Sequence, residues 1–158
     1  MSNRRDGIRV YWDGRKFITA QGQELHTPIW FHQGLPNFPL DCDLWHSSLE
    51  KLMSIIRSQK DWKEVKLLVR DMPQSMETFE RRQDVLKEYF FPDHVGIIQV
   101  ERCSGFDHLD AFININLEKG SKGVILIQPE SHYQSGKVFH IKVIMSCPIL
   151  KGKATLGR

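Results

Sequence analysis

The chain is poor in the patterns that build metal centres, membrane spans and secreted scaffolds. Its 158 residues include three cysteines, Cys42, Cys103 and Cys147, too far apart for any zinc spacing. Seven histidines are scattered without a His-x-x-x-His pair. A metal site built from Cys and His is therefore not expected. So few cysteines point to an intracellular reducing compartment and leave nucleus, mitochondrion and cytoplasm open. No apolar run approaches the length of a transmembrane helix, so no membrane is expected as a partner. The N-terminus is polar and basic with no apolar stretch behind it, which gives no sign of a signal peptide. Internal repeats, low-complexity tracts and linkers are also missing. The expectation is one domain over residues 1–158 with a sizeable core. Charge of either sign is not in large excess: the net value is +3 and the pI about 8.8. That balance is compatible with nucleic-acid contact but does not argue for it.

What is present is a series of strand and helix signals in which strands outnumber helices. Ile8 to Trp12 and Lys16 to Thr19 read as strands joined at Asp13-Gly14, a hairpin signal. Gly22 predicts another turn. Pro28 to Pro39, with its prolines and the aromatics Trp30, Phe31 and Phe38, predicts a packed irregular loop. Leu40 to Trp45 reads as a strand with Asp41 and Asp43 on one face. Ser47-Ser48-Leu49-Glu50 has capping-box spacing before a helix running to about Gln59, with Leu49, Leu52, Met53 and Ile56 as its apolar positions. Val65 to Val69 predicts a buried strand. Ser75 is the expected cap of a second helix that turns Phe79, Leu86 and Tyr89 inward and a charged face outward. Val95 to Val100 predicts a strand and Asp107 to Glu118 a third helix ending at Gly120. Gly123 to Gln128 and Val138 to Met145 close the chain as strands around a Ser/Gly turn. Helices interrupt the strands rather than strictly alternate with them, which predicts an α+β fold of antiparallel sheets flanked by helices.

Several short motifs carry more than secondary structure. Arg4-Arg5-Asp6-Gly7-Ile8-Arg9 resembles the first motif of the covalent nucleotidyltransferases, in which a lysine is followed by any residue, Asp-Gly, any residue and Arg. Trp12-Asp13-Gly14, Pro28-Ile29-Trp30-Phe31 and Leu40-Asp41-Cys42-Asp43-Leu44-Trp45 follow. Val69-Arg70-Asp71-Met72-Pro73, Thr78 to Arg82, Arg102-Cys103-Ser104-Gly105 and His108-Leu109 come next. Gly120 to Leu126, Ser131 to Gly136 and His140 to Ile144 complete the set. In this order, over nearly the whole chain, they resemble the adenylation domain of the compact bacterial type of ATP-dependent DNA ligase. The resemblance implies the ligase and mRNA-capping nucleotidyltransferase fold.

The same resemblance assigns roles, and the chain departs from several of them. The nucleophilic lysine, whose amine attacks the α-phosphate of ATP, falls at Arg4. A lysine amine can be tuned to lose its proton; a guanidinium stays charged at any accessible pH. Arg9 keeps the motif arginine that contacts the nucleotide sugar or the nick, or is a strand-end surface arginine. The acid that usually follows Leu-Asp-Gly is Asp43, one methylene shorter than glutamate, and Cys42 replaces the glycine. The aromatic that stacks on adenine falls at Arg70. Asp71 is kept, as a functional residue or as a turn residue. The glutamate that helps hold catalytic magnesium falls at Lys122, an ammonium that offers no oxygen ligand. In the last motif Lys142 is retained, as a phosphate contact or a solvent-facing lysine, and the second lysine becomes Ile144.

The resulting expectation is a degenerate ligase-type adenylation domain with no confident catalytic residue and no metal ligand. Arg9, Asp43, Arg70 and Lys142 remain as nucleotide-binding remnants. Arg5, Arg9, Arg15 and Lys142 are the candidate nucleic-acid contacts. Lys16, the nearest lysine to the nucleophile position, is expected to be exposed. No cofactor is expected; the partners are DNA or another nucleic acid, and a protein partner or larger assembly. Only Met1-Ser2-Asn3 precede the first motif, and the family's OB-fold domain is not expected within this chain. The alternative is a working ligase fragment in DNA repair, using ATP and magnesium and completed by another chain.

Overall fold

The computed structural model describes residues 1–3, 5–121 and 123–134, and the backbone of residues 140–144. Arg4 and Lys122, and the expected strand residues 138, 139 and 145, lie outside the described residues. The chain divides into two compact units.

The larger unit, Asp6–Ile98 with Pro129–Ser135, is built on a six-stranded sheet. Its strands are β2 (Gly7–Trp12), β3 (Phe17–Thr19), β4 (Glu24–Leu25), β5 (Leu40–Trp45), β6 (Lys66–Asp71) and β7 (Val95–Ile97), in the order β4-β3-β2-β5-β6-β7. Every pair is antiparallel except β6 with β7. The Asp13-Gly14 hairpin forms as its sequence predicts. Asp13 Oδ1 accepts the Arg15 and Lys16 amides at 2.8 Å each. Gly14 has φ +101°, and a Cβ there would meet the Asn37 carbonyl oxygen at 2.5 Å, so only glycine fits this turn.

Alternation along β2, β5 and β6 sends Val10, Trp12, Leu40, Cys42, Leu44, Leu67 and Val69 into one buried cluster with Phe31, Leu52, Ile55, Trp62 and Leu86. The expected irregular loop contains one helical turn, α1 (Ile29–His32), because Phe31 must reach this core, where it is fully buried. Trp12 Nε1 pins the rest of the loop by donating to the Pro36 carbonyl at 2.7 Å.

Helix α2 (Leu49–Ser58) begins at Ser48, whose Oγ accepts the Lys51 amide, so the cap lies one residue later than the expected capping box and Glu50 is not its reciprocal partner. Its inward residues are Leu52 and Ile55; Leu49 and Met53, expected inside, are 46% and 38% exposed. Leu52 and Ile56 pack on the core as expected, and Ile55 joins them. Helix α3 (Phe79–Glu88) is capped at Thr78 rather than Ser75, whose Oγ instead accepts the Glu77 amide in the preceding turn. Phe79 and Leu86 are buried as expected, while Tyr89 ends the helix half-buried. Arg82 and Gln83, expected on the charged outer face, are buried.

The second unit holds β1 (Ser2–Asn3), β8 (Gly123–Ile127), β9 (His140–Ile144) and helix α4 (Phe106–Glu118). The strands form an antiparallel sheet in the order β1-β8-β9. Met1, Ile113 and Val124 make its small core. The expected strand from Val95 stops at Ile97; Val100 bridges Ser2 in this unit. Mixed helices and mainly antiparallel sheets make the fold α+β, as the sequence predicts. No helix among the described residues is long and apolar enough to cross a membrane.

Candidate nucleotide and nucleic-acid site

Opposite the core, the central strands of the larger unit carry a row of charges. Arg9 lies on β2, Asp41 and Asp43 on β5, and Arg70 and Asp71 on β6. Backbone register sets Arg9 across from Asp43, but its side chain runs diagonally to Asp41. Arg9 Nε donates to Asp41 Oδ1 at 2.8 Å and Nη2 donates to Oδ2, a bidentate pair. Arg70 Nη1 donates to Asp43 Oδ2. Beyond them, Arg82 Nε and Nη2 donate to Asp71 Oδ1 and Oδ2 at 2.6 and 2.8 Å. Four carboxylate and guanidinium positions implicated by sequence, Arg9, Asp43, Arg70 and Asp71, are thus brought together. Two of them have partners that sequence reasoning missed or only placed nearby, Asp41 for Arg9 and Arg82 for Asp71, and Asp41 in turn accepts from Tyr133.

A bulge gives Arg70 its aim. Asp41 pairs with Asp71 and Cys42 with Val69, so Arg70 is an extra residue in β6. Gln83 Nε2 donates to the Arg70 carbonyl at 2.8 Å and satisfies backbone that the bulge displaces. The side chains of Arg70 and Asp43 are only 18% and 10% exposed. The position expected to stack on adenine therefore holds a guanidinium committed to the neighbouring acid.

The electrostatics follow from burial. Burial pushes the Asp41 carboxyl above its ordinary value, against the bond and charge of Arg9 and the charge of Arg70. Burial pulls Arg9 down, but the Asp41 bond and charge outweigh it and leave Arg9 raised. Tyr133 Oη sits 3.4 Å from Asp41 Oδ2, and burial followed by the charge of Asp41 raises its phenol. Cys42, in the family's glycine position, is fully buried in the core; burial and the flanking aspartates push its thiol well up, so it is no nucleophile.

The raised Asp41 has a definite sign in stability. A carboxyl raised on folding stabilises the fold below its unfolded value, and that contribution is lost as pH rises through the folded value. Asp41→Asn should therefore flatten the pH dependence of unfolding just above the ordinary carboxylate range of about 4. Urea unfolding between about pH 4 and 7 measures this; a slope equal to that of the parent would count against it.

Other predicted site residues lie apart from this row. Arg15 is exposed at the hairpin tip, and Lys16 beside it pairs with Glu24 at 2.8 Å, exposed as expected. Arg5 is exposed in the second unit. Lys142 occupies β9 opposite Ile125, described by backbone alone. Arg4 and Lys122 fall outside the described residues. Among the described residues no group of three His, Cys, Asp or Glu is placed to hold a metal ion. The row as it stands matches each carboxylate to a guanidinium, which suits it to rigid structure more than to ligating magnesium.

Comparison with known proteins gives the row its context. No family model matches the chain. A DNA ligase of Haemophilus influenzae is 29% identical over 164 residues, covering 99% of this chain and 58% of the relative. A solved structure from a structure-function study of Lig E DNA ligases, concerned with DNA binding by a minimal scaffold, matches at 25% identity with a TM-score of 0.80. It covers 90% of this chain and 60% of that one. A Chlorella virus DNA ligase-adenylate, at 15% identity and a TM-score of 0.71 over 84% of this chain and 54% of the other, shares the fold. The chain spans less than two thirds of each. On its sequence match and its fold, the chain is similar to the adenylation-type nucleotidyltransferase domain of ATP-dependent DNA ligases.

Proposed function

We propose that this domain has given up adenylyl transfer and serves as a non-catalytic nucleic-acid-binding module. The observation that carries the reading is the Arg70–Asp43 pair. It fills the base-stacking position with a charge and ties up the acid beside it. The sequence changes at Arg4 and Lys122 point the same way, because neither side chain supplies the nucleophile or the oxygen ligand that the reaction requires. Nucleic-acid contact rests on the relation to DNA ligases and on exposed cations such as Arg15 and Arg5. Such contacts would bind the phosphate backbone and weaken steeply with salt.

Radiolabelled ATP and magnesium followed by a denaturing gel tests the chemistry, and fluorescence anisotropy with a nicked duplex tests the binding. No covalent band is expected, and nicked-duplex affinity should fall by orders of magnitude between about 50 and 200 mM salt. A magnesium-dependent adenylyl band would overturn the reading in favour of a ligase fragment completed by another chain. Absence of duplex binding at low salt would leave the domain without its proposed partner.

A further inference from the structure

One motif of the sequence, Arg102-Cys103-Ser104-Gly105 with His108-Leu109, has no part in the charged row. It lies in the second unit, at the turn that leads into α4. The turn brings Ser104 back onto His108 of the first helical turn. Ser104 Oγ is 2.8 Å from His108 Nδ1, and the Ser104 amide donates to the same nitrogen at 3.2 Å. On the other side of the ring, His108 Nε2 is 2.8 Å from Glu101 Oε1.

The backbone amide settles the tautomer. An N–H can only donate, so Nδ1 carries the lone pair and Nε2 the hydrogen. Ser104 Oγ–H therefore donates to Nδ1, and Nε2–H donates to Glu101. Hydroxyl, imidazole and carboxylate in this order make a nucleophile, a base and a group that orients the base. The two ring nitrogens are exchanged relative to the serine-protease triad. Fastening the start of α4 needs the amide bond alone; the hydroxyl and carboxylate bonds go beyond it.

The surroundings suit a small acyl donor. Ser104 is exposed, and the side chains of His108 and Glu101 are 30% and 55% exposed, so a substrate reaches them without any opening of the fold. No side chain caps α4 at Gly105, so its first-turn amides are donors for a developing oxyanion. Phe106, 86% exposed, offers apolar surface two residues from the hydroxyl.

We propose that Ser104, His108 and Glu101 form an acyl-transfer site that hydrolyses small carboxylic esters. Ser104 Oγ bonds to the ester carbonyl carbon while its proton passes to His108 Nδ1. The bond to the alkoxy group then breaks, and the leaving oxygen takes that proton. Water repeats the sequence on the acyl-serine, releasing the acid and returning the proton to Oγ. Glu101 is a positioning residue that holds the imidazole by Nε2–H. None of these steps uses Arg4, Arg70 or Lys122, so the inference is independent of the reading of adenylyl transfer.

Hydrolysis of p-nitrophenyl butyrate by the full chain, with a fluorophosphonate label located by peptide mass spectrometry, tests it. The parent should release nitrophenol and carry the label on Ser104. Ser104→Ala keeps the amide bond to His108 and should lose the label and at least about 100-fold in kcat/KM, with an unchanged circular dichroism spectrum. His108→Gln should lose about as much. Glu101→Gln should lower kcat by about tenfold with KM unchanged, and Glu101→Asp should recover part of that loss. The proposal is overturned if the parent hydrolyses no ester, if the label falls on Cys103 or a lysine instead of Ser104, or if Ser104→Ala works as fast as the parent.

Discussion

Arg82→Ala is expected to lower the stability of this domain by about 3–5 kcal/mol, the cost of breaking a buried ion pair from one side. Arg82 is 2% exposed and holds both oxygens of Asp71. Its remaining nitrogen, Nη1, donates to the carbonyls of Glu77 and Ser131 at 2.6 and 3.0 Å. One side chain thus fastens α3, the turn before it and the segment after Pro129 to the last residue of β6. Truncation leaves a partly buried carboxylate and two carbonyls without their donor, and it opens a hole in the core. The melting temperature should drop by roughly 2–4 °C for each kcal/mol in a domain of this size. Asp71→Asn in the Arg82→Ala background should cost little more, since it removes the stranded charge. A loss under about 1 kcal/mol for Arg82→Ala would show that the pair is not the fastening described.

Arg70→Phe is expected to cost about 2–3 kcal/mol, less than Arg82→Ala because its pair with Asp43 is slightly more exposed. This change introduces the aromatic character that the ligase resemblance leads one to expect at this position, yet it strands Asp43 without its Arg70 partner. Adding Asp43→Asn should recover part of the loss, with a coupling of about 1–3 kcal/mol in the double-mutant cycle. Chemical denaturation of the four proteins gives that coupling directly. A coupling near zero would mean that the two side chains do not depend on each other for stability. A large one would mean that neither side chain can be replaced alone without stranding the other.

Much of the fold was legible because local signals agreed with packing. Asp13-Gly14 specified its hairpin through a turn that only glycine fits, and the alternation of Leu40 to Trp45 placed two aspartates away from the core. Failures came where tertiary contacts overrode local pattern. Ile55 rather than Met53 faces the core, since α2 rotates to fit β5. Arg82 and Gln83 read as surface residues, because nothing in sequence spacing announces that a carboxylate and a bulged carbonyl wait for them. In the site, the family motifs located Arg9, Asp43 and Arg70 but gave no pairing. Pairing depends on diagonal reach across strands and on one bulge, neither of which leaves a periodic trace. Ser104 and His108 were visible as part of a family motif; their link to Glu101 became visible only with the turn that joins them.

The extra residue in β6 also fixes what kinds of change the site can absorb. Val69 and Asp71 pair with consecutive residues of β5, so the strand counts three positions where its partner counts two. Every side chain beyond that point depends on this count. Without Arg70, Val69 and Asp71 would still face Cys42 and Asp41 in a regular ladder, whereas deleting Leu68 would put Val69 opposite Asp43 and Arg70 opposite Cys42, each on the wrong side of the sheet. Loss of Arg70 and loss of a paired neighbour are therefore different classes of event, the first a matter of charge and the second a matter of phase.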